Sequence, residues 1–127
     1  MRTEINLPAD GSAPMRARLA LDDAIAPADL AERFVDARLA VTEIVVNALE
    51  HGRLDERDTI RLIVETDDDR VRVEVEQPTP AKHVDRIRPP PHDGRPGGFG
   101  LRLVEATVDA WGSDEGPPGV VWFELRR

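Results

Sequence analysis

The strongest constraint on the fold is the run "TIRLIVETDDDRVRVEVEQP", Thr59 to Pro78. Apolar residues recur at every second position: Ile60, Leu62 and Val64, then Val71, Val73 and Val75. A period of two places them on one face of two strands, and the acidic triplet Asp67–Asp69 supplies the hairpin turn between them. A hairpin with one apolar face is not stable alone in water, so the rest of the chain must cover that face.

The covering layer is legible in a different period. Leu30, Phe34, Ala37, Val41, Ile44 and Ala48 recur at steps of three and four, which predicts a long amphipathic helix after Pro27 that ends at Gly52. A shorter helix is predicted over "PMRARLALDDAIA", with Ser12 as its cap and Pro14 in its first turn. "RTEINLP" reads as a first strand closed by Pro8, and "GVVWFELRR" as a last one. "GFGLRLVEATVDAWG" predicts one more helix, with Leu101, Val104, Val108 and Trp111 along one face and "SDEGPPG" as the turn behind it. Pro78 and Pro80 end the second hairpin strand, and a proline- and glycine-rich loop follows over residues 81–97. Loops of that length inside small domains usually carry function. The expected architecture is α+β: a two-layer sandwich, a mostly antiparallel sheet with helices on one face, in a single domain spanning residues 1–127.

Composition narrows the function classes. The net charge of −8 argues against direct nucleic-acid binding, which needs clustered positive charge to displace counterions. There is no cysteine, so disulfide scaffolds and thiolate chemistry are excluded. The absence of a signal-like N-terminus or a long apolar span leads us to expect a cytoplasmic protein without a membrane partner. Lys82 is the sole lysine and does not follow a glycine cluster, which rules out a P-loop. Ser12 and Ser113 are the only serines, neither in a nucleophile elbow. His51, His83 and His92 are scattered and give no zinc pattern.

Two motifs remain that carry chemistry. In "LAVTEIVVNALEHG", Glu43, Asn47 and His51 sit at steps of four on a helix otherwise rich in valine, leucine and isoleucine. Such a carboxylate and amide are either a partly solvated pair at the edge of the buried face or the lining of a cavity, because unpartnered burial costs several kcal/mol. As cavity groups they divide the work: an amide oxygen can hold Mg²⁺, and a carboxylate one turn away can act as a base. In "RPGGFGLRLVEATVDAW" a glycine cluster opens directly into a helix, the arrangement that presents backbone N–H groups to phosphate.

Together these motifs resemble the N box and the second glycine box of the GHKL (Bergerat-fold) ATPases, in the form found in anti-sigma factor serine/threonine kinases. "VVWFEL" resembles the usual final strand of that family, and the likeness runs through nearly the whole chain. The resemblance implies a Bergerat fold that binds ATP and Mg²⁺. It implies Asn47 as the Mg²⁺ ligand, Glu43 as the base toward an attacking hydroxyl, and Gly98 and Gly100 against the phosphates. It also implies residues 81–97 as an ATP lid, with Arg95 and Arg102 as phosphate contacts. His51, Phe99 and Leu101 flank these motifs and complete the implied nucleotide site. The implied partners are a sigma factor, which the protein would sequester, an anti-anti-sigma (STAS-type) protein, which it would phosphorylate, and a second copy of itself in a homodimer.

The family pattern is broken at the base end. Its first glycine box reads roughly V-x-D-x-G, whereas this chain has "VEQPTP". Gln77 stands where an aspartate reads the adenine amino group, and Thr79 replaces the glycine. Val120 and Val121 also replace residues that are often polar. Loss of a charged acceptor costs about 1.5–3 kcal/mol. The alternative to a kinase is therefore a catalytically weak or inactive regulatory binding module of the same fold, with poor nucleotide affinity. A stand-alone ATPase or detached histidine-kinase domain is a third, weaker reading.

Overall fold

A computed structural model describes residues 1–81 and 99–127. Five strands form one sheet in the order β1-β2-β3-β5-β4, with every pairing antiparallel. The strands are β1 (Arg2–Pro8), β2 (Thr59–Thr66), β3 (Arg70–Gln77), β4 (Ala110–Asp114) and β5 (Gly119–Arg126). The helices are α1 (Ala13–Ala24), α2 (Pro27–Leu30), α3 (Arg33–His51) and α4 (Phe99–Thr107). This is the expected α+β arrangement.

The β2–β3 hairpin forms at the alternating run. Its turn closes on Asp67, whose carboxylate accepts the backbone N–H groups of Asp69 at 2.8 Å and Arg70 at 2.9 Å. Those bonds hold the Asp67 carboxyl below its usual pKa. The register sets Leu62 opposite Val75, Val73 opposite Phe123, and Ile5 opposite Leu62. One face of the sheet is thus continuous and apolar. The helices bury it, joining Leu21, Ile25, Val41, Ile44, Val45, Leu101 and Val104 to the strand residues in one core. The other face is a lattice of charge. Arg61 pairs with Glu4 at 2.6 Å, Arg72 with Glu74 and Glu124 at 2.8 Å each, and the Arg72 guanidinium lies 4.1 Å from the Trp122 ring centre.

Three local expectations are corrected. Ser12 does not cap α1 with its side chain. Asp10 organises that corner instead, accepting both the Ser12 N–H at 2.8 Å and the Ser12 hydroxyl at 2.5 Å. The helix after Pro27 is broken in two: Ala31 takes φ 50°, and α3 starts afresh at Arg33 while Leu30 still reaches the core. α3 does end at Gly52, as expected; Gly52 has φ −76°, and the left-handed residue is the following Arg53, at φ 53°.

The largest difference is α4, which ends at Thr107, leaving Trp111 on β4 opposite Phe123. Residues 101, 104, 108 and 111 fit a helical period, but β5 presents an edge whose backbone groups need partners. Asp109 begins the switch. Its N–H bonds Glu124 O at 3.0 Å, and its carboxylate accepts from Arg33 and from the Arg126 N–H, each at 2.6 Å. Competition from a sheet edge is a tertiary effect, absent from local periodicity.

Candidate functional site

Helix α3 positions the first half of the site. Ile44, Val45 and Ala48 face the core, and α4 packs beside them through Leu101 and Val104. This packing fixes the rotation of α3 and leaves Glu43 and Asn47 half-buried, one turn apart. His51, a further turn on, is exposed and lies 3.7 Å from the Glu50 carboxylate.

The two half-buried groups differ electrostatically. Burial raises the pKa of Glu43 above the ordinary carboxylate value, and the Glu50 carboxylate raises it further. A carboxylate with raised proton affinity is the better base. Asn47 has a different peculiarity: its side-chain Nδ2 is shielded from solvent and has no hydrogen-bond partner among the described residues. An unpaired buried donor costs about 1–3 kcal/mol, so such atoms mark places where a further group belongs.

This chemistry fits a magnesium–phosphate group. Asn47 offers an amide oxygen for the metal and an N–H donor for a phosphate oxygen. Among the described residues no cluster of three His, Asp or Glu side chains could hold a metal unaided. Mg²⁺ characteristically shares its coordination between one or two protein oxygens and the phosphates of its nucleotide, so a sparse protein set is what that ion needs.

The second half of the site lies where β3 runs out beside the end of α3. Gln77 is only 2% exposed. Its Nε2 donates to Thr79 Oγ1 at 3.1 Å and to the Pro80 carbonyl at 3.0 Å. The Thr79 hydroxyl in turn donates to the Gly52 carbonyl. A Cβ on Gly52 would stand 2.4 Å from Ala48 O and 3.2 Å from Gln77 Oε1, so only glycine allows this approach. The strand-end segment is held from its far side as well. Gly119 N–H bonds Thr79 O at 3.1 Å and Ala81 N–H bonds Glu115 O at 2.8 Å, where a Cβ on Gly119 would collide with both Thr79 O and Ala81 N.

Gln77 and Thr79 therefore meet the C-terminal end of the same helix that carries Glu43, Asn47 and His51. Leu101 sits in the core, so any contact it made with a ligand would be through its backbone. Phe99 and Gly100 form the start of α4, and Arg102 is exposed. Arg95, Gly98 and the body of the expected lid, residues 82–97, lie outside the described residues. Gly52, Pro80 and Gly119 were not singled out as parts of the site by sequence reading. Gly52 carried a signal that was ambiguous, since a glycine after a long helix has a simpler explanation as a helix stop.

An antiparallel five-stranded sheet under helices, with a carboxylate–amide pair on the long helix, defines the layered GHKL-type ATPase class. The chain belongs to the histidine kinase-like ATPase domain family, whose model matches residues 7–122. That family implies ATP as the ligand. No curated protein matched the chain significantly. Twelve solved chains are similar to it. Among them is the crystal structure of the RsbU and RsbW domains of Rv1364c from Mycobacterium tuberculosis, with 22% identity and a TM-score of 0.69. The match covers all of this chain and 32% of that one, so this chain corresponds to about a third of the solved relative.

Proposed function

We propose that the protein is an ATP-dependent serine/threonine kinase of the anti-sigma type, which sequesters a sigma factor and phosphorylates an anti-anti-sigma (STAS-type) partner. The observation that carries this reading is that α3 sets a carboxylate of raised pKa one turn from a half-buried amide whose Nδ2 has no partner among the described residues. The likeness to a solved chain that contains an RsbW domain supports the same direction.

In this reading Asn47 holds Mg²⁺ against the ATP phosphates, and the metal, when bound, neutralises charge on the transferring phosphoryl group. Glu43 would accept the proton of the partner's serine or threonine hydroxyl as that oxygen took the γ-phosphoryl group, the bond to the bridging oxygen breaking to leave ADP. Gly98, Phe99, Gly100 and Leu101 would supply backbone N–H groups toward the phosphates, with Arg95 and His51 as further nucleotide contacts. Gln77 and Thr79 bound the adenine. Residues 81–97 act as the lid, and the protein works as a cytoplasmic homodimer.

A second reading is favoured by one observation: Gln77 brings no charge to the base end and is only 2% exposed. The same fold would then serve as a binding module with weak nucleotide affinity. Incubation with Mg²⁺ and γ-labelled ATP and a STAS-type protein separates the two. Transfer of label that Glu43→Ala stops while ATP still binds supports the kinase. ATP binding without any transfer to such partners supports the module.

A further inference from the structure

We infer that this chain recognises its ligand by the Mg²⁺-triphosphate group and leaves the base unread, so that the site accepts triphosphates of either purine nucleoside and inorganic tripolyphosphate as well. The inference rests on the magnesium–phosphate reading of Asn47 above, and it departs from the adenine selectivity that an aspartate in place of Gln77 would give.

The two ends of the site differ in what they leave unpaired. Asn47 Nδ2 is shielded from solvent and has no partner among the described residues. Its hydrogen bonding is completed only by a group from outside. At the end of α3, by contrast, the polar groups satisfy one another. Gln77 donates its two amide hydrogens to Thr79 Oγ1 at 3.1 Å and to the Pro80 carbonyl at 3.0 Å. Thr79 gives its single hydroxyl proton to the Gly52 carbonyl. The Thr79 carbonyl accepts from the Gly119 N–H at 3.1 Å, and the Ala81 N–H is spent on the Glu115 carbonyl at 2.8 Å.

A base can be read through its carbonyl or its amino group, and this knot serves neither. The carbonyl of guanine needs a donor, and both hydrogens of the Gln77 amide are used inside the protein. The amino group of adenine needs an acceptor, and the Gln77 oxygen belongs to a side chain only 2% exposed. Oε1 and Nε2 lie against Gly52, 3.2 and 3.3 Å from the point where a Cβ would stand. The segment is held in this closed form. Pro78 and Pro80 fix φ on either side of Thr79, and β5 approaches so closely that a Cβ on Gly119 would stand 2.6 Å from both Thr79 O and Ala81 N. Selectivity between bases arises where one base satisfies a polar group of the site and the other leaves it unpaired. Groups already paired within the protein supply none, so Gln77 and Thr79 border the base by shape alone.

The test is calorimetric titration of the full chain with ATP, GTP and tripolyphosphate, with Mg²⁺ throughout. ATP and GTP should bind within about fivefold of each other, the yield of one net hydrogen bond. Tripolyphosphate should displace ATP, and Asn47→Ala should lose all three ligands. A larger preference for either nucleotide overturns the inference and leaves the ATP-binding reading standing. So does tripolyphosphate that fails to displace ATP, or that binds Asn47→Ala undiminished. Binding of none of the three overturns both. The nucleotide ratio and the displacement need no variant, so they decide the matter even where Asn47→Ala does not fold.

Discussion

Asn47 offers a sharp separation of stability from function. Its Nδ2 is shielded from water and unpaired among the described residues, on a helix whose neighbours Ile44, Val45 and Ala48 are buried. In the absence of ligand the folded protein bears the full desolvation cost of that donor, about 1–3 kcal/mol. Asn47→Leu replaces the amide by an apolar group of similar shape and removes the cost. Discounting the upper end for imperfect packing of the branched side chain leaves a gain of about 1–2 kcal/mol. An unfolding entropy of about 2.1 cal/mol/K per residue scales to about 0.27 kcal/mol/K for 127 residues. The melting temperature should therefore rise by about 4–7 °C. Calorimetry without nucleotide reads this directly, and the same sample should show no stabilisation by Mg-ATP. Leucine lowering the melting temperature would refute the reasoning, because it would mean that the amide is satisfied in the free protein and not reserved for a ligand.

Two further outcomes follow from neighbouring groups. The raised pKa of Glu43 means that the folded protein holds a proton more tightly there than the unfolded chain does, so stability falls as pH rises from the ordinary value of 4.5 through the folded value. Glu43→Gln should accordingly melt higher than wild type at pH 7, with the difference vanishing below pH 4.5, and a melting series across pH 3–7 checks the sign. Gly52→Ala places a Cβ 2.4 Å from the Ala48 carbonyl and against the Gln77 amide. It should cost about 1–3 kcal/mol in denaturant unfolding, reduced by the lower entropy of the unfolded alanine chain, and should weaken nucleotide binding as well.

The parts of this fold that were legible in sequence are those decided by a residue's near neighbours. The alternation from Ile60 to Val75 and the stripe from Phe34 to Ala48 each bury one face whatever lies elsewhere, and both form, although the helix expected from Pro27 breaks at Ala31 ahead of that stripe. Trp111 is the counterexample. Its spacing from Val108 is helical, yet the edge of β5 claims it through a pairing with Phe123. Ser12 failed as a cap because Asp10, two residues earlier, is the better acceptor for that corner.

The site divides in the same way. Glu43 and Asn47 could be paired from sequence because one helix carries both. The base end could be seen only as a departure from a pattern. What Gln77 and Thr79 do depends on the end of α3, the end of β3 and the start of β5 meeting at one place, where two glycines let the backbones close. No single stretch of sequence encodes that meeting, and Gly52 by itself reads as an ordinary helix stop.

In the proposed function, Asn47 completes its hydrogen bonding and metal coordination on a Mg-nucleotide. Isothermal titration of the protein with ATP, with and without Mg²⁺, tests this most directly. Binding should be saturable, depend on Mg²⁺ and be lost in Asn47→Ala. Absence of binding at millimolar Mg-ATP, or undiminished binding by Asn47→Ala, would contradict it.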